Sequence, residues 1–191
     1  MIYFEKLFTK EECEKIISYA IDEKKEFSNL IDLEHSNQKI LENNRMIGDN
    51  TSYSIYLIMN TKETEWIFDK ILFWFSNKSG IKIHSDKFKL DKCMLLNYSV
   101  GDRFQKHLDI SEGFEERRWN LGIQLNDDYK GGDYICYDKD ENEIILPKDT
   151  GTAIAYHISI PHEIKKIEDG NRWSMVLSIP STFINEKKSV I

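Results

Sequence analysis

Apolar residues at Cys13, Ile16, Ile17, Ala20 and Ile21 recur three and four positions apart, and Thr9 with Glu12 stands ahead of them as a capping-box pair. The spacing predicts an amphipathic helix beginning at Thr9. A polar, asparagine-rich stretch over 36–50 reads as a loop, and the apolar run over 53–59 reads as a strand. A second helical pattern covers about 62–76, with Ile67, Ile71, Trp74 and Phe75 on one face and Gly80 as its stop signal.

Beyond Gly80 the period changes. Short segments rich in Ile, Leu, Val, Tyr and Trp alternate with turn residues, which predicts strands over 92–98, 103–108, 118–125, 133–137, 143–146, 152–158 and 172–179. Gly101, the Gly131-Gly132 pair, Pro147 with Gly151, and Asp169-Gly170 supply the turns between them. Two helices followed by seven or eight short strands predict a mainly β fold with flanking helices (α+β), a double-sheet β-roll of jelly-roll type with the helices on one outer face. We expect one domain over 1–191, helical to about residue 80 and a β-roll over about 81–180.

Composition changes this picture little. The chain has 191 residues, 40% of them hydrophobic, enough for one core, and its charged residues are interspersed with apolar ones as in a folded domain. A net charge of −7 argues against nucleic acid as a partner, since phosphate contacts need clustered basic surface. Cys13, Cys93 and Cys136 lie far apart, so neither a disulfide framework nor paired zinc thiolates is predicted and a reducing compartment is expected. The start, Met-Ile-Tyr-Phe-Glu-Lys, lacks a secretory pattern and no apolar run approaches about 18 residues, so a cytoplasmic location without membrane attachment is expected.

Candidate chemistry begins at His107-Leu108-Asp109. Residues two apart on a strand face the same way and can meet one metal ion. Such a pair is weak alone: five histidines among 33 acidic residues produce about one His-x-acid by chance, and His84-Ser85-Asp86 is a second. A polar strand entrance accounts for that second pair. The first has a partner, His162 in Ile160-Pro161-His162-Glu163, which a turn after an apolar strand can swing toward it. Two neutral imidazoles and a carboxylate suit iron(II) with three open positions rather than a closed structural zinc site. Ten residues on, Arg172 opens the last strand, where a guanidinium can grip the distal carboxylate of a dicarboxylic cosubstrate, and Ser174 shares its face.

The ordered set Asn97-Tyr98-Ser99-Val100-Gly101, His107-x-Asp109, Leu125-Asn126, Gly131-Gly132, Pro147, Gly151, Pro161-His162-Glu163-Ile164 and Gly170-x-Arg172 resembles the prolyl 4-hydroxylase-like branch of the 2-oxoglutarate/iron(II) oxygenases. It spans roughly Leu95 to Ile179, and the segment from Phe4 to Tyr19 is similar to that branch's opening helix. The resemblance implies a double-stranded β-helix with iron(II) in its mouth, and 2-oxoglutarate and O2 as cosubstrates, with ascorbate as an optional reductant. It also implies that Tyr98 contacts 2-oxoglutarate. Gln124 falls where some relatives place a pocket tyrosine, and its role stays open.

The activity implied is hydroxylation of a C–H bond with release of succinate and CO2, on a prolyl residue of a peptide or protein. A free amino acid or other small metabolite is the alternative substrate, and a non-catalytic β-roll binding module the third reading. One departure bears on this: prolyl hydroxylases of the branch commonly carry tryptophan six residues beyond the anchor, where this chain has Ser178. Trp119 and Trp173 are candidates for replacement aromatic walls, with a core role as the competing account. Arg45, in the polar stretch, is a further candidate for substrate contact.

Overall fold

The computed structural model describes residues 1–22, 39–41, 45–48, 50–83, 90–110 and 117–183. In chain order the elements are β1 (Ile2–Lys6), α1 (Lys10–Asp22), β2 (Lys39–Leu41), β3 (Arg45–Gly48), β4 (Thr51–Met59), α2 (Glu65–Ser79), β5 (Lys92–Tyr98), β6 (Phe104–His107), β7 (Arg117–Gln124), β8 (Lys130–Gly131), β9 (Tyr134–Tyr137), β10 (Glu143–Ile145), β11 (Thr152–His157), β12 (His162–Ile164), β13 (Ile167–Asp169) and β14 (Arg172–Pro180).

Strands β1-β11-β7-β14-β5-β4-β3-β2 form the major sheet in that order, and β10-β9-β12-β6 form the minor one; a two-stranded piece, β13-β8, lies apart from both in pairing. All pairings are antiparallel. The result is the predicted double-stranded β-helix with helices on one face.

The capping box is present as the sequence specifies: Thr9 N–H donates to Glu12 Oε2 at 2.8 Å and Glu12 N–H to Thr9 Oγ1 at 3.2 Å. Helix α2 starts and ends three residues later than the spacing suggested. The Thr64 hydroxyl ties residues 61–64 into a turn by accepting from Thr61 N–H at 2.9 Å, and helix geometry begins only after it. At the other end Gly80 takes a left-handed conformation (φ 71°) and donates to Ser76 O, a stop that costs any other residue strain.

Strand alternation divides the major sheet into two faces. Cys93, Leu95, Trp119, Leu121, Ile123, Met175, Leu177 and Ile179 point toward the helices and pack with Phe8, Cys13, Ile16, Ile67, Phe68, Ile71 and Phe75. The residues between them, among them Leu96, Tyr98, Asn120, Gln124, Arg172, Ser174 and Ser178, face the minor sheet and line an internal cavity of about 200 Å³.

A turn after β11 brings His162 toward His107, as expected, and His162 opens β12. Two expectations need correction. The polar stretch over 36–50 is not all loop: it contributes β2 and β3, which extend the major sheet beyond β4 through a ladder that only the folded partner supplies. Strand β1, which the sequence pattern did not suggest, closes the other edge against β11. The His84-x-Asp86 pair lies outside the described residues.

Candidate metal centre and cosubstrate pocket

Cross-strand pairing creates the centre. His107 ends β6 and His162 begins β12, and the two are direct partners in the ladder, so both imidazoles project into the same space with ring centroids 4.2 Å apart. Asp109, two residues beyond His107, turns its carboxylate between them: Oδ1 lies 3.3 Å from His107 Nε2 and Oδ2 lies 3.4 Å from His162 Nε2. One ligand atom from each residue falls within 4.8 Å of the other two, the compactness a single ion requires.

The backbone sets the tautomers. His107 Nδ1 lies 2.8 Å from Gln105 O and His162 Nδ1 lies 3.0 Å from Ile160 O; each therefore carries the proton on Nδ1 and turns the Nε2 lone pair toward Asp109. Burial, countered by the Asp109 charge and reinforced by His107, brings the His162 pKa down to about 4, so this imidazole is neutral and ready to coordinate at physiological pH. His107 Nε2 is buried without a hydrogen-bond partner among the described residues, a cost that a bound cation would remove. Asn120 Nδ2 donates to Asp109 Oδ2 and accepts on Oδ1 from Ser178 Oγ at 2.7 Å, orienting the carboxylate.

On the cavity's other side lies Arg172, 2% exposed. Its guanidinium donates to Ser174 Oγ at 3.0 Å and to Gln124 Oε1 at 2.9 Å, while Nε has no hydrogen-bond partner among the described residues. No carboxylate among the described residues pairs with it, so a permanent cation is buried facing a cavity. Tyr98 and Tyr134 flank it, their ring centroids 5.4 and 5.8 Å from Cζ. Gly132 makes room for this arrangement: at φ 62° it adopts a backbone few other residues take, and a Cβ there would stand 2.3 Å from Ile167 Cδ1 and 3.4 Å from Arg172 Cδ. Gln124 is itself fixed, donating to the Tyr129 hydroxyl at 2.7 Å and to Asn126 O at 2.8 Å.

His107, Asp109, His162, Tyr98, Gln124, Arg172 and Ser174 thus share one cavity. Trp119 and Trp173 do not line it. Each is one residue out of phase with the cavity positions of its strand: Trp119 stacks on Phe75 with centroids 5.4 Å apart, and Trp173 lies against Tyr56 at 5.4 Å on the helix-covered face. The Arg45 guanidinium is engaged by Asp102, whose carboxylate also accepts from Ser52 Oγ at 2.6 Å and Ser99 N–H at 2.8 Å. The sequence reading missed Asn120, Tyr134, Tyr156 and Tyr53 as cavity residues. For Asn120 the signal was available, because it shares strand parity with Gln124.

A jelly roll holding a 2-His-1-carboxylate cluster beside a buried arginine defines a mononuclear metal-dependent oxygenase site. Residues 93–179, which carry the triad and Arg172, match the 2OG-Fe(II) oxygenase superfamily. No curated protein matches it in sequence. Among solved structures the chain is similar to a prolyl hydroxylase in complex with a hypoxia inducible factor oxygen degradation domain peptide fragment from Trichoplax adhaerens (TM-score 0.67, 14% identity, covering 95% of this chain and 84% of that one). It is also similar to a 2OG-Fe(II) oxygenase family oxidoreductase from Burkholderia pseudomallei (0.64, 13%, 93% and 82%). A third is a prolyl-4-hydroxylase from Pseudomonas putida (0.60, 12%, 92% and 89%).

The matched superfamily and the triad together make this a 2-oxoglutarate-dependent oxygenase site, in which His107, Asp109 and His162 would hold iron(II). Among the described residues no helix is long and apolar enough to cross a membrane.

Proposed function

We propose that this oxygenase binds 2-oxoglutarate with its distal carboxylate on Arg172 and Ser174, and hydroxylates a prolyl residue in a peptide or protein. The observation that carries the cosubstrate assignment is the buried Arg172 guanidinium, without a carboxylate partner among the described residues, in the same cavity as the metal ligands. A dicarboxylate satisfies both ends of that cavity at once. When bound, iron(II) with 2-oxoglutarate would activate O2, the oxidant, so that one oxygen atom enters succinate as 2-oxoglutarate loses CO2 and the other hydroxylates the C–H bond.

The protein's own contributions follow from the geometry. The Nδ1–carbonyl bonds hold both imidazoles in the coordinating tautomer, and Asn120 keeps the Asp109 carboxylate turned between them. Gln124 and Ser174 fix the plane of the guanidinium before cosubstrate arrives, which lowers the ordering cost of binding. The walls from Leu96, Ile154, Ile164 and Val176 limit water access around the reacting centre.

Prolyl chemistry is supported by the motif set and by the prolyl hydroxylases among the structural neighbours. Hydroxylation of a free amino acid or another small metabolite is the second reading. The polar Ser178–Asn120 pair favours it, standing where prolyl hydroxylases of the branch commonly place tryptophan. Anaerobic addition of iron(II) and 2-oxoglutarate should produce a visible metal-to-ligand charge-transfer absorption. Oxygen-dependent succinate release should then be stimulated more by proline-containing peptides than by free amino acids. Stimulation by free amino acids alone selects the second reading, and absence of the absorption in folded, iron-loaded protein removes both.

A further inference from the structure

The cavity holds a hydrogen-bonded pair of phenols, Tyr156 buried and Tyr134 partly buried, that the metal ligands and Arg172 do not account for. Tyr134 lies between the two ends of the site: its ring centroid is 5.8 Å from Arg172 Cζ and 5.9 Å from the His162 ring. Its hydroxyl donates to Tyr156 OH at 2.6 Å, and Tyr156 OH lies 3.1 Å from His162 Nε2, the coordinating nitrogen. Tyr156 is 2% exposed. Hydrophobic packing alone does not call for a hydroxyl here, since phenylalanine fills nearly the same volume without adding buried polar groups.

The hydrogen bonds can be followed one group at a time. His162 Nδ1–H is committed to Ile160 O, so Nε2 is an acceptor and Tyr156 is the donor in the 3.1 Å contact. The Tyr156 oxygen accepts from Tyr134 and interacts with the Asn120 side chain as well. Once a metal takes the Nε2 lone pair, the Tyr156 proton loses its acceptor. An unsatisfied O–H at so buried a position costs about 1–3 kcal/mol, which an oxygen arriving with the cosubstrate would remove.

We infer that Tyr156 is a cosubstrate contact, donating its O–H to the carboxylate or keto oxygen at the metal end of 2-oxoglutarate, and that Tyr134 is a positioning residue that aims it. This rests on the proposed placement of 2-oxoglutarate between Arg172 and the metal ligands. A dicarboxylate spanning that interval runs along the Tyr134 ring and ends beside the Tyr156 hydroxyl. The two phenols then do for the metal end what Arg172 and Ser174 do for the far end.

The test uses the full chain with Tyr156→Phe and Tyr134→Phe, each of which removes one oxygen and keeps the ring. Anaerobic titration with Mn(II) should give dissociation constants for metal within about threefold of the parent in both. Titration of the Fe(II)-loaded proteins with 2-oxoglutarate should then show affinity weakened about tenfold or more in Tyr156→Phe, with a displaced charge-transfer maximum, because a hydrogen bond to a charged oxygen has been lost. Tyr134→Phe should show the same displacement at smaller size. Unchanged 2-oxoglutarate affinity and an unchanged absorption maximum in Tyr156→Phe overturn the inference while leaving the oxygenase function intact. If the parent protein itself fails to bind 2-oxoglutarate, the cosubstrate placement fails first. Weakened metal binding with normal cosubstrate affinity also overturns the inference, since it assigns Tyr156 to the metal ligand alone.

Discussion

The two faces of β7 and β14 are made from alternate positions of the same seventeen residues, yet they are chemically opposite. On one, Trp119, Leu121, Ile123, Met175, Leu177 and Ile179 are packed under the helices with almost no exposed surface. On the other, Asn120, Gln124, Arg172, Ser174 and Ser178 are just as buried or nearly so, but polar and hydrogen-bonded to one another across the strands. Apolar burial on the first face supplies stability through area removed from water. Polar burial on the second costs free energy unless each group is matched, and two buried atoms without a hydrogen-bond partner among the described residues, Arg172 Nε on β14 and His107 Nε2 on β6, belong to side chains that line the cavity where ligands would sit. Substitutions on the two faces should therefore separate cleanly into losses of stability and losses of function.

The largest effect is expected at the metal. Asp109→Ala should abolish succinate release, while the melting temperature of the metal-free protein stays within roughly 3 °C of the parent, because the carboxylate adds little packing. Residual turnover above background would show that Asp109 is not a ligand. Next comes Arg172→Met, which keeps much of the side-chain volume and removes the charge. Cosubstrate affinity should fall by about 2–5 kcal/mol, or roughly 30- to several-thousand-fold, read as the dissociation constant of 2-oxoglutarate in anaerobic titration. A shift of less than fivefold there would place the anchor elsewhere.

On the opposite face, Leu121→Ala opens a cavity at a fully buried site between sheet and helices. The expected cost is about 2–5 kcal/mol of stability, a melting point lower by roughly 5–15 °C, with turnover per folded molecule unchanged at low temperature. Denaturant unfolding and activity measured on the same preparation decide it. A large activity loss without a stability loss would mean that the two faces are coupled rather than independent.

Legibility in the sequence followed the range of the interactions. The capping box at Thr9, the seven roll strands from Lys92 onward and the metal triad depend on local pattern or on motif spacing, and the structure has all of them. What was not legible depends on partners distant in sequence. Strands β2 and β3 are strands because β4 offers an edge, and His162 faces His107 because β12 pairs with β6. For Trp119 and Trp173 a wall role and a core role were both open, and strand parity, which was available, decides for the core by placing them opposite Gln124 and Arg172. Tyr134 and Tyr156 carried no motif, and only the folding of β9 and β11 around the centre reveals them.

The ion pair at Asp102, outside the cavity lining, tests whether buried charge elsewhere in the roll contributes stability. Burial on its own would raise this carboxyl, but hydrogen bonds from Arg45, Ser52 and Ser99 N–H outweigh it and hold the pKa below the ordinary value of 3.8. A depressed folded-state pKa stabilises the fold above the unfolded value, near pH 4, and that contribution is lost as pH falls through the folded pKa. Asp102→Asn should cost about 1–3 kcal/mol at pH 7, with the difference from the parent narrowing below about pH 4, as read from urea unfolding at both pH values. A gap that stays constant across that range would assign the cost to lost hydrogen-bond geometry and not to charge.

The smallest change falls on the boundary between the faces. Gly122 lies on β7 between the cavity residues Asn120 and Gln124, and a Cβ built there meets nothing closer than Met175 O at 3.8 Å. Replacing glycine by alanine in a strand removes unfolded-state freedom worth about 0.5–1 kcal/mol, so Gly122→Ala should leave the melting point unchanged or raise it by roughly 1–4 °C. The added methyl projects into the space between Arg172 and the metal ligands, so the 2-oxoglutarate KM should rise even as stability holds. An unchanged KM would mean that the cosubstrate does not pass over β7 at this point, and would move its path toward the Tyr98 and Leu96 wall of β5.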